Sequence, residues 1–205
     1  MHGTNSELMR RGFKTWCEST SESYRTALGL RPQDPLDPRD LAAHLGVMVW
    51  TPEEVPGLAR DSLQQLVDRD PDSWSAVTIR HDDTDLTIVN SAHVPNRRRS
   101  SLTHELAHLI LDHGPGRIDV SPEGHLLLNS FEQEQEKEAD WLTGTLLVPR
   151  AGLIIAYRSS QDPEVLSNRF GVSADMLNWR LRMTGVATQA RRARNWSRRT
   201  SPSRS

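Results

Sequence analysis

Thr103-His104-Glu105-Leu106-Ala107-His108-Leu109-Ile110-Leu111-Asp112-His113 is the stretch that decides how this chain is read. On a helix, His104 and His108 fall one turn apart on the same face. Two imidazoles so placed can share one metal ion, typically zinc, and Glu105 stands close enough to work on a water held there. Leu102, Leu106, Leu109, Ile110 and Leu111 spread over much of the remaining surface, so most of the helix is expected to be buried. Gly114-Pro115 stops it. At its start, Asn96 is followed by Arg97, Arg98 and Arg99. Three cations at that end oppose the helix dipole and need acidic neighbours or a partner.

A catalytic zinc takes three protein ligands and keeps one position open, so the pattern needs one more donor. His113, His125, Glu136 and Glu138 are the candidates. His113 fails the arrangement in which a third His follows a turn glycine: Leu111 stands in the glycine's place and the spacing is one residue short. It reads better as a residue behind the ligands or at the helix end. A second helix is expected from residue 131 to about 147, stopped by Pro149, with acids crowding its first half as suits its dipole. Ala139, Leu142 and Leu146 form its apolar stripe, with Trp141 beside it, and Glu136, Asp140 and Thr143 border that stripe. Glu136 can therefore ligate while Asp140, one turn on, bonds the free ring nitrogen of a ligand histidine. Glu138 is rotated about 200° from Glu136 on the helix, so the two cannot both ligate.

Upstream, residues 7–28 read as a helix with Leu8, Phe13, Trp16, Tyr24 and Leu28 as buried contacts, weakened in the middle by the serines between 19 and 23. A proline-rich connector follows, then Asp37 capping a short helix with Pro38 at its first position and Gly46 at its end. Residues 47–50 form a short strand. Residues 74–80 and 86–90 alternate as two strands of a hairpin, joined by a solvated polar turn at 81–85. Residues 114–130 are loop or short strands. Beyond Pro149, residues 153–157 are an apolar run, and residues 164–181 read as helix, turn at Gly171, and helix capped by Ser173, in the manner of a helix-turn-helix.

The whole chain sets outer limits. Its 205 residues suffice for one domain with a real core. The single cysteine, Cys17, excludes an internal disulfide framework and fits a reducing compartment. No signal-peptide core and no membrane span is read, so a soluble cytoplasmic protein is expected. The formal charge is −2, but residues 186–205 hold six arginines and no acid, which leaves about −8 on the rest. With almost nothing apolar to bury, residues 188–205 are expected to be a basic disordered tail. The other divisions are an N-terminal helix and connector at 1–35, a core at 36–155, and a helical segment packed on it at 156–187.

His104-Glu105-Leu106-Ala107-His108, Glu136-x-x-Ala139-Asp140 and Leu146-Leu147-Val148-Pro149 together resemble the ImmA/IrrE family of metallopeptidases. The likeness runs from about Leu36 to Leu181, with 27 residues between His108 and Glu136 as that family requires within a few. Departures are mild: Asp140 stands for a common Asn, Leu142 for Phe, Thr143 and Gly144 for a small pair, and Val148 for Met. The resemblance implies an α+β, zincin-like minimal metallopeptidase, with a small β-sheet packed on the His-Glu helix and a C-terminal helix-turn-helix-like segment. It implies Zn2+ held by His104, His108 and Glu136, with Glu105 as general base and Asp140 and His113 behind the ligands. It also implies a protein substrate, a helix-turn-helix repressor whose cleavage derepresses mobile-element or stress genes. The substrate is expected to add as a strand along the hairpin edge near Leu86–Asn90. His113, His125 and Tyr157 are the candidates for stabilising the oxyanion.

Two other classes compete. One is a DNA-binding regulator with a structural zinc, resting on Asn178, Arg180 and Arg182 of the last helix and on the arginine tail. The other is a protein that binds a repressor without cutting it.

Overall fold

The computed structural model describes residues 9–81, 84–113, 118–120, 126–128 and 133–200. The described residues form a mixed α+β fold of helices with a three-stranded sheet and a separate two-stranded one.

Helix α1 (Phe13–Ala27) begins after Gly12, whose φ of 86° suits glycine. This is later than the expected start at residue 7. Its buried residues are Phe13, Cys17, Ser21 and Arg25, one every fourth position. Trp16 is not among them: it is 42% exposed and stacks on Phe13 at 5.9 Å. Leu8 lies outside the described residues. Hydrophobicity alone misses the lower half of this face because two of its members are polar. Ser21 Oγ donates to the Thr145 carbonyl, and Arg25 donates to those of Leu146 and Asp34. The bonds to Thr145 and Leu146 satisfy carbonyls at the end of a helix introduced below.

Asp37 accepts from the Arg39 N–H and caps α2 (Pro38–Leu45), which closes at Gly46 with a φ of 74°. The Val47 N–H then reaches back to the Ala42 carbonyl, turning the chain into β1 (Met48–Trp50). After the short α3 (Arg60–Gln64) come β2 (Ala76–His81) and β3 (Thr84–Val89), the expected hairpin. β1 pairs parallel with β3, and the strand order is β1-β3-β2. This corrects the expected substrate edge. Leu86 to Ile88 belong to the central strand and are paired on both sides, so no peptide can add along them; β2 is the outer member of the hairpin.

Helix α4 (Pro95–Ile110) packs against β2 and β3. Two of its three opening arginines have partners. Arg97 bonds Asp72 at 2.8 Å, and Arg99 bonds the carbonyls of Leu36 and Gly171. Strands β4 (Ile118–Val120) and β5 (Leu126–Leu128) pair antiparallel. Helix α5 (Gln133–Leu147) lies on both α4 and α1, and from Trp141 to Leu147 every residue is buried. Helix α6 (Arg150–Ser159) runs through residue 155, where the core was expected to end. Helix α7 (Pro163–Phe170), Gly171 at a φ of 65°, and α8 (Ala174–Thr184) capped by Ser173 follow the expected helix, turn and helix.

Residues 188–200 are not the irregular tail expected of them. Helix α9 (Val186–Thr200) begins on the buried Val186 and packs on α6 and α8. Gln189 accepts from Arg150 at 3.0 Å. The tail's low apolar content hid that its first turns have a neighbour to pack against.

Candidate metal centre

Helical spacing and burial bring the key side chains of α4 and α5 together. His104 Nε2 and His108 Nε2 are 3.0 Å apart. Glu136 reaches across from α5, with Oε2 3.2 Å from His104 Nε2 and Oε1 3.5 Å from His108 Nε2. The three residues offer donor atoms all within 4.8 Å of one another. Tetrahedral zinc with bonds of about 2.05 Å separates its ligand atoms by roughly 3.3 Å, so the spacing fits such an ion. Two imidazole nitrogens and a carboxylate are also donors that zinc accepts.

The far nitrogens of both histidines are engaged. Asp140 Oδ1 is 3.2 Å from His104 Nδ1, and an N–H donated there leaves the lone pair of Nε2 facing the cluster. His108 Nδ1 is 3.0 Å from His113 Nδ1, both rings being buried. His113 Nε2 lies 3.5 Å from Glu138 Oε2, and Glu138 pairs with Arg10 at 3.2 Å. Glu138 thus faces the back of the site rather than the cluster, as its helix position requires. Burial, with the charges of His104 and His113, pushes the His108 imidazolium down to about 3, so the ring is neutral and able to ligate. Burial lowers the His104 value too, but the Asp140 hydrogen bond and the carboxylates around it win, and the net shift is upward.

Glu105 sits on α4 beside the pair, and burial raises its carboxyl above the ordinary range. Thr78 of β2 opposes that shift by donating to Glu105 Oε2 at 2.7 Å. A cleft of about 260 Å³ opens here, lined by Ser75, Ala76, Ser100, Ser101, His104 and Glu105. Sequence reasoning passed over Thr78, and the only signal was its inward position in an alternating strand. Tyr157 is on α6, facing a separate pocket shared with α9. His125 lies outside the described residues. Arg180, one of the candidate base-reading residues, is fully buried and spent on the Val148 carbonyl and Glu18.

Residues 69–182 match the family model Peptidase_M78, described as the IrrE N-terminal-like domain. A solved structure described as a Mycobacterium tuberculosis transcriptional regulator is similar over 83% of this chain, at 18% identity and a TM-score of 0.50. The match covers 47% of that structure, so this chain spans about half its length, and the likeness is one of fold. No curated protein shows significant similarity.

Proposed function

Because the chain belongs to the Peptidase_M78 family of IrrE-like domains, we propose that it is a zinc-dependent, site-specific endopeptidase of the cytoplasm that cleaves a helix-turn-helix repressor. The observation that carries this reading is the cluster of His104, His108 and Glu136 with the half-buried Glu105 beside it. The regulatory half of the reading is supported by the fold shared with a protein described as a transcriptional regulator.

His104, His108 and Glu136 would hold zinc, which would supply Lewis-acid chemistry to the site. Asp140 holds His104 in the tautomer that presents Nε2, and His113 meets the outer nitrogen of His108. Glu105 takes the proton of the attacking water and delivers it to the leaving amine nitrogen. The substrate segment lies extended along the outer edge of β2, whose first residue, Ala76, lines the cleft with Glu105.

Glu105→Gln tests this. It keeps the shape of the side chain and removes the base, a loss of about 10²–10⁴-fold in rate. Co-expression with candidate repressors is expected to yield two fragments with wild type and one intact band with the variant, at equal zinc content. Equal relief of repression by both, without cleavage by either, makes the protein a binding module and the zinc structural.

A further inference from the structure

The hydroxyl that meets Glu105 comes from the sheet. Thr78 Oγ1 is 2.7 Å from Glu105 Oε2 and 3.0 Å from Thr87 Oγ1. Thr78 and Thr87 face each other directly in the β2–β3 register, and Thr87 is fully buried. An ionised carboxylate has no proton to give, so Thr78 must donate to Glu105. Its own oxygen is then left to accept from Thr87, and one acceptor orients both hydroxyls. A threonine at this inward position has a simpler use, to fill the space between sheet and helix. Valine fills it equally well, and the same face uses Val49 and Val89. What threonine adds is the hydroxyl.

We propose that Thr78 is a positioning residue for Glu105, with Thr87 behind it. The bond to Oε2 fixes the carboxylate and leaves Oε1 to exchange the proton. A base held in a set orientation matters because a displacement of about 1 Å can cost on the order of 10²-fold. The hydrogen bond to a charged group also compensates part of the desolvation that Glu105 bears. The inference rests on the reading of Glu105 as the base beside a bound zinc, and its test separates the two.

The probe is acetohydroxamic acid, which binds zinc as its anion and gives its proton to an adjacent base. Its affinity for the zinc-loaded protein is measured by calorimetry, with zinc content measured alongside. Thr78→Val is expected to bind about tenfold more weakly at unchanged zinc content. Thr78→Ser, which keeps the hydroxyl, is expected to stay within about twofold of wild type, and Thr87→Val to fall between them. If Thr78→Val binds as wild type while Glu105→Gln is weakened, the role of Thr78 is overturned and that of Glu105 stands. If Glu105→Gln also binds as wild type, both fall. Should Thr78→Val fail to fold, Thr78→Ser against Thr78→Ala makes the same comparison: a tenfold gap supports the inference and equality overturns it.

Discussion

His113 Nδ1 lies 3.0 Å from His108 Nδ1, so the residue just past the helix end stands directly behind a candidate ligand. The contact is built by the backbone: the His113 N–H bonds the His108 carbonyl, and Asp112 between helix and histidine takes a φ of 53°. That positive φ lets the chain fold back over its own last turn.

From this follows an order of metal affinities. Glu136→Gln is expected to lose the most zinc, since it removes a donor atom. His113→Ala is expected to weaken binding by roughly 10–100-fold, the usual cost of losing a partner behind a ligand. Glu138→Gln is expected to cost less than His113→Ala, because it acts through His113 at 3.5 Å. Competition with a chromogenic chelator checks the order, and a loss with Glu138→Gln equal to that with Glu136→Gln contradicts it.

Gly144 is required by packing rather than by backbone angle. A Cβ there collides with the ring of Trp179, which packs edge-on against Trp141 at 5.3 Å. Gly144→Ala is expected to destabilise by about 1–3 kcal/mol, the range for overpacking, even though alanine favours the helix by about 1 kcal/mol. Urea denaturation measures it, and a variant more stable than wild type would refute the close contact between α5 and α8.

Cys17 links stability to alkaline pH. It is fully buried, and desolvation, helped by the neighbouring Glu18, pushes its thiol from the ordinary 9.0 up to about 12. The folded state therefore holds its proton where the unfolded chain gives it up. The contribution is complete below pH 9 and is lost as pH rises toward 12. Wild type is expected to lose more stability than Cys17→Ala between pH 9 and 11, measured by thermal melting. Parallel curves for the two proteins would contradict the burial of the thiol.

What the sequence determined by itself is local. The one-turn spacing of His104 and His108, the border position of Glu136 and Asp140, and the caps at Asp37, Gly46, Gly171 and Ser173 each depend on a few neighbouring residues. They were legible because helix geometry converts spacing into direction. What the tertiary structure decided involves residues far apart. β3 is central because β1, nearly forty residues upstream, pairs with it, and no pattern within residues 84–90 announces that. Thr78 meets Glu105 across 27 positions of sequence. Arg180 looks like a surface cation until Glu18, 162 positions away, and the Val148 carbonyl bury it. A polar side chain reads as solvated in sequence, and only its partner's position in space makes burial affordable.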